Sequence, residues 1–158
     1  MKLRLVCVGK VSEHYLRDGV DDFASRITRY LPLLVSELKE EKVGGKKGDP
    51  RHLREREGER ILEKIPATAF TVVLDERGET LSSEGVAALL GRHMVQGTPE
   101  VALVIGGPYG LSEAVRGRAD LLLSLSPMTF THQMARLFLL EQIYRGLTIL
   151  RNEPYHNR

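Results

Sequence analysis

Five consecutive apolar residues at 101–105 (VALVI) empty without a polar break into Gly106, Gly107, Pro108, Tyr109 and Gly110. An apolar run of that kind marks a strand covered on both faces, the usual state of a parallel strand inside an α/β sheet. Similar runs stand at 3–8 (LRLVCV, closed by Gly9), 69–74 (AFTVVL) and 121–125 (LLLSL). Partial alternation at 33–38 (LLVSEL) predicts a further strand nearer a sheet edge. Helical patterns fill the intervals. Leu16, Val20, Phe23, Ala24, Ile27 and Leu31 share one stripe over about 13–30, stopped by Pro32. Ser82 or Ser83 can cap a helix carrying Val86, Leu89, Leu90 and Met94, and Ser112 a short one from Val115 to Ala119. A long helix is predicted over about 133–145. Strands alternating with helices at these intervals specify a three-layer α/β fold with a parallel sheet, in one domain spanning 1–158.

A formal net charge of +2 in 158 residues is too small for a polycation, so any nucleic-acid contact must come from a local patch. The single cysteine, Cys7, lies inside an apolar run and reads as a buried thiol in a reducing compartment. The basic start MKLRLVCVGKV has no cleavage-site pattern and no run of 18 apolar residues follows, which predicts a cytoplasmic protein without a membrane span. From 37 to 64 charges of both signs are nearly balanced, and RHLREREGERILEKI reads as a helix whose charges line a solvated face. Just before it, Lys42, Lys46 and Lys47 stand among Gly44, Gly45 and Gly48, a basic segment suited to an anionic partner.

The strongest chemical signal is IGGPYG at 105–110, where a backbone without Cβ atoms can approach a ligand closely. DERGE, after the strand at 69–74, occupies an equivalent strand end. A GxGxxG after the first strand and GxxxxGK[ST] are both absent, which excludes standard dinucleotide and P-loop designs. The five histidines are scattered and no HExxH occurs, so no metal is expected. Met134, Leu137, Phe138, Leu139, Leu140, Ile143 and Tyr144 make the last helix apolar over more than one stripe, and either burial inside the monomer or a homodimer with Phe138, Leu139 or Leu140 near its two-fold interface would cover the surplus. The ending ILRNEPYHNR sets Tyr155 and His156 between Arg151 and Arg158, a mixture that can stack on a base and bond its edge or phosphate.

Taken together, MKLRLVCVGK, the glycine–lysine segment, VVLDERG, LVIGGPYGLS, LSLSPMTFTHQMAR and NEPYHNR resemble the ribosomal RNA large subunit methyltransferase H family, the small SPOUT-class enzymes. The resemblance runs from residue 1 to 158. It implies a SPOUT-type sheet with a C-terminal trefoil knot and a homodimer built around it. It also implies S-adenosylmethionine as cofactor and methyl transfer to N3 of a pseudouridine in large-subunit (23S) rRNA of the assembled ribosome. Carried over residue by residue, the cofactor contacts are Leu74, Gly106, Gly107, Leu125, Ser126, Pro127, Met128, Thr129, Phe130 and Thr131. His132, Arg136, Tyr155 and His156 are the candidates for positioning or proton handling, with His132 and Arg136 facing the site. Lys42, Lys46, Lys47 and Arg158 are the candidates for RNA contact. Asn157, between His156 and Arg158, displaces the last arginine by one place from the family pattern. Two alternatives stay open: a non-catalytic ribosome or RNA-binding module, and a SPOUT methyltransferase with another RNA acceptor.

Overall fold

Alternate residues of each strand enter different cores, which is how one sheet carries helices on both faces. In a computed structural model that describes residues 1–42 and 49–157, β1 (Lys2–Val8) sends Leu3, Leu5 and Cys7 to one face and Val6 and Val8 to the other. Strand β4 (Glu100–Ile105), buried along its whole length, divides Val101, Leu103 and Ile105 from Ala102 and Val104 in the same way. With β2 (Leu33–Leu38), β3 (Phe70–Thr80) and β5 (Leu121–Ser124) they form a parallel sheet in the order β2-β1-β4-β3-β5. The expected edge position of β2 is what the sheet shows.

Three helices cover the first face: α1 (His14–Ile27), α3 (Ser83–Val95) and α5 (His132–Leu150), with α5 packed between the other two. The second face carries α2 (Pro50–Glu63) and α4 (Glu113–Arg118). Ser82 caps α3 by accepting from the Gly85 amide, and Ser112 caps α4 by accepting from Val115, as the sequence predicts. Gly146 brings α5 against α3, because a Cβ there would stand 3.3 Å from the Ala87 amide nitrogen.

Three expectations need correction. The strand expected to end at Leu74 continues to Thr80: both Leu74 and Glu79 register with Leu123, so the residues between them are thrown out of the ladder as a bulge. The helix expected to end near 145 runs to Leu150 and closes in a Schellman motif. Asn152 takes φ 54°, its amide bonds the Ile149 carbonyl, and the Glu153 amide bonds Thr148. Finally, α2 does not merely float its charges in solvent, since Glu57 is 2% exposed. Cys7 is buried as expected, and desolvation pushes its thiol up to about 11.

Among the described residues no helix is long and apolar enough to cross a membrane, and no cluster of three His, Cys, Asp or Glu is placed to hold a metal. Lys46, Lys47 and Arg158 lie outside the described residues; Lys42 is exposed.

Gly78 closes the bulge against β5, where a Cβ would lie 2.6 Å from the Leu122 carbonyl carbon and oxygen. Backbone cannot swing aside as a side chain can. Gly78→Ala should lower stability by about 1–3 kcal/mol, read as a lower urea midpoint at unchanged slope.

Candidate cofactor and acceptor site

The carboxyl ends of β3, β4 and β5 open on one cleft of about 990 Å³. Its walls come from the β3 bulge, the turn after β4 and the loop from β5 into the first turn of α5, with Arg116 of α4 and Glu13, Tyr15 and Leu16 at the start of α1 completing them. In the turn, the Gly110 amide donates to the Gly107 carbonyl at 3.0 Å and Gly110 takes φ +80°, a conformation that glycine tolerates best. The two preceding glycines line the cleft and pack tightly behind it: a Cβ on Gly106 would meet Leu111 Cδ2 at 2.8 Å, and one on Gly107 would meet Val8 Cγ1 at 2.9 Å.

The loop from β5 to α5 is held by its own hydroxyls. Ser124 Oγ donates to the Ser126 carbonyl, Ser126 Oγ accepts from the Met128 amide, and Thr131 caps α5 by accepting from Met134. Thr129 donates to Glu76 across the mouth at 3.4 Å. Leu74, Gly106, Gly107, Leu125, Ser126, Met128, Thr129, Phe130 and Thr131 all line the cleft; Pro127 belongs to the same loop but is exposed and not on the wall. A second cavity of about 390 Å³ lies between α3 and α5 and shares Leu123, Leu125 and Phe130 with the cleft.

Two wall residues were not singled out from the sequence. Arg116 donates from Nε to Asp75 at 2.6 Å and from Nη1 to the Leu111 carbonyl at 2.8 Å, tying the β3 bulge to the β4 turn. Burial pulls the Asp75 carboxyl upward, but Arg116 and the Arg77 amide outweigh it and hold the group below its ordinary value. DERGE had signalled a strand end, whereas nothing local distinguishes Arg116 from the other arginines of a polar helix.

His132 faces the cleft, and its Nε2 is buried with no hydrogen-bond partner among the described residues, 3.5 Å from Glu40 Oε1. Desolvation lowers its pKa, Arg136 adds to the effect and Glu40 opposes it, so the imidazole is held toward its neutral form. Arg136 does not share that position. It is 1% exposed and off the cleft wall, donating from Nη2 to the Gly9 carbonyl at 2.7 Å and from Nη1 to Glu37 at 3.1 Å. The expectation that Arg136 faces the site is therefore corrected: it clamps α5 to the ends of β1 and β2.

The other two candidates fold back beside the middle of α5. Tyr155 donates to Glu141, and its ring lies 4.7 Å from Tyr144 and beneath Arg145. The His156 ring stands between Glu84 at 3.2 Å and Arg145 at 3.3 Å. Neither residue is on the cleft wall.

Removing the Arg136 guanidinium would leave the Gly9 carbonyl without its donor, while the partly exposed Glu37 can turn to water. Arg136→Ala should cost about 1–3 kcal/mol in urea unfolding, a loss of fold stability rather than a selective loss of ligand binding.

A family model described as "Predicted SPOUT methyltransferase" matches residues 1–156. The chain is 62% identical over 158 residues to the Ribosomal RNA large subunit methyltransferase H of Syntrophotalea carbinolica, covering 100% of both chains. To its namesake in Trichlorobacter lovleyi it is 50% identical over 157 residues, covering 99% of this chain and 100% of the relative. Among solved structures, a probable methyltransferase from Bordetella pertussis Tohama I superposes with a TM-score of 0.55 at 15% identity, over 92% of this chain and 96% of that one. A putative methyltransferase from Legionella pneumophila, solved with the bound cofactor SAM, gives 0.51 at 14% identity, over 95% of this chain and 66% of that one. At such identities the two structures speak for the fold alone. The sequence matches carry the family: the chain belongs to the ribosomal RNA large subunit methyltransferase H family of SPOUT methyltransferases, whose parallel α/β fold carries a C-terminal trefoil knot.

Proposed function

We propose that this chain, as a homodimer in the cytoplasm, transfers the methyl group of S-adenosylmethionine to N3 of a pseudouridine in the large-subunit rRNA of the assembled ribosome. The observation that carries the reading is the convergence of three strand-end segments on one cleft, in a chain 62% identical to a ribosomal RNA large subunit methyltransferase H. The cleft fits the cofactor's chemistry. Its volume of about 990 Å³ accommodates a nucleoside-sized ligand, bare backbone at Gly106 and Gly107 admits close approach, and Leu74, Leu125 and Met128 offer apolar wall. When bound, S-adenosylmethionine supplies a methyl group already activated by its sulfonium.

What remains for the protein is placement and control of one proton. Serine and threonine hydroxyls shape the loop from 125 to 131 so that its backbone can bond a base edge. His132, held toward its neutral form by burial and without a hydrogen bond at Nε2 among the described residues, can hold a proton at the cleft wall. Tyr155 and His156 serve the acceptor as positioning groups. Neither lies on the wall of its own cleft, and a homodimer would set them next to the second copy's cofactor. Phe138 is 40% exposed on α5 and available to that contact, whereas Leu139 and Leu140 are consumed inside the monomer. Lys42, with Lys46, Lys47 and Arg158, supplies positive charge for the rRNA backbone. The buried, protonated thiol of Cys7 suits a reducing cytoplasm.

Incubating unmodified ribosomes with the protein and methyl-labelled S-adenosylmethionine, followed by mass spectrometry of rRNA nucleosides, should yield N3-methylated pseudouridine. A labelled nucleoside of another kind would assign a different acceptor, and salt-sensitive RNA binding without any label would leave a non-catalytic module. Gly107→Val should weaken calorimetric binding of the cofactor and lower the melting temperature, because its side chain collides with Val8 and displaces the turn. Deleting residues 154–158 should leave cofactor affinity within about twofold and lower transfer by at least about 100-fold, the scale expected when only alignment is lost. Sedimentation at micromolar concentration should show twice the 17.7 kDa of one chain.

A further inference from the structure

Glu57 is the one place in α2 where the charged face turns inward. Gly58 makes that possible: a Cβ there would run into Ser112 Oγ, so its absence lets α2 lie against the cap of α4 and brings Glu57 beneath the turn after β4. One carboxyl oxygen, Oε1, accepts from the Glu41 amide at 3.0 Å at the exit of β2. The other, Oε2, is buried with no hydrogen-bond partner among the described residues and lies 3.1 Å from where a Cβ of Gly107 would stand. An acceptor left open in a site this dry costs about 1–3 kcal/mol, more if it is charged.

The surrounding charges do not relieve that cost. Arg60, on the same helix, is paired with Glu41 at 2.9 Å, and Glu40 and Glu41 add negative charge from the β2 side. Desolvation, the largest influence, pushes the Glu57 carboxyl upward; the Glu41 amide and Arg60 oppose it without cancelling it. A glutamine would fill the same space and accept the same amide at lower cost. The carboxyl group therefore needs a reason other than folding.

We propose that Glu57 is a positioning residue for the cofactor turn, its open Oε2 accepting a hydrogen bond from the 107–110 backbone when that turn closes on the cofactor. The same side chain then joins the turn to the β2 exit through its bond to Glu41. The inference rests on the proposed binding of S-adenosylmethionine in this cleft. Glu57 touches no reacting atom in this account and acts through Gly107.

Glu57→Gln separates this role from a structural one, because the two predict opposite changes in stability. With Oε1 still serving the Glu41 amide, the variant places an NH2 donor where the turn requires an acceptor. Calorimetric titration at pH 8 should show S-adenosylmethionine bound about tenfold more weakly than by the unaltered chain, the scale of one hydrogen bond to a carboxylate. Thermal unfolding of the ligand-free proteins should show the variant melting about 2–4 °C higher at pH 8. The sign follows from the raised carboxyl: ionisation disfavours the native state, so the unaltered chain loses stability as pH rises through the native pKa, whereas glutamine does not titrate. The gap should therefore shrink as pH falls toward the ordinary carboxylate range. Affinity within twofold of the unaltered chain overturns the proposal, and so does a variant that melts lower or fails to fold, either of which makes Glu57 a packing residue. If the unaltered chain itself binds no S-adenosylmethionine, the functional reading fails first, and that result is seen before any variant is made.

Discussion

Burial of β1 and β4 on both faces governs everything else in this molecule. A strand covered by helices on two sides exposes neither its side chains nor its ladder, so ligand chemistry is driven to the strand ends. There the chain must leave the sheet, and each exit solves the problem differently. β3 leaves through a bulge locked by Gly78 against β5, β4 through a glycine turn closed from Gly110 to Gly107, and β5 through a loop braced by its own hydroxyls. Their convergence on one cleft follows from the strand order, which seats β3 between β4 and β5.

Buried charge is put to different uses. Arg136 is almost fully enclosed, yet two partners meet its guanidinium, so its burial fastens a helix to two strand ends. Asp75 and Arg116 form a complete pair, and the depressed carboxyl of Asp75 reflects that completeness. Glu57 Oε2 and His132 Nε2 are buried without a hydrogen bond among the described residues, as is Nε of Arg136. The open atoms of Glu57 and His132 lie beside the glycine turn and on the cleft wall, where a ligand would meet the frame.

The last helix links two distant regions of the monomer. Its first turn carries His132 into the cleft, and its end, set by Asn152 in the left-handed conformation, directs Tyr155 and His156 back onto α3 and α5. Much of its surplus apolar surface is absorbed by α1 and α3, the burial inside the monomer that the sequence leaves open beside a second subunit. Phe138, Met134 and Leu150 stay substantially exposed, a smaller apolar remainder than the composition of the helix suggested.

Local chemistry was enough for the strands, the serine caps, the edge position of β2 and the glycine turn, since each depends on period, capping or the lack of a Cβ within a few residues. Motifs spread over the whole chain pointed to the family and to the loops that line the cleft. Other features depended on partners remote in sequence. Nothing near Glu57 indicates that Gly58 will let α2 approach Ser112, and nothing near Arg136 indicates that the carbonyl of Gly9, 127 positions away, awaits it. Likewise, the β3 bulge exists only because β5 pairs with the strand on both sides of it. Short-range periodicity thus determined which segments are strands and helices and which ends are bare backbone. Only the tertiary structure decided which charges are buried and which remain open, because desolvation and hydrogen bonding there are set by groups that the chain brings together last.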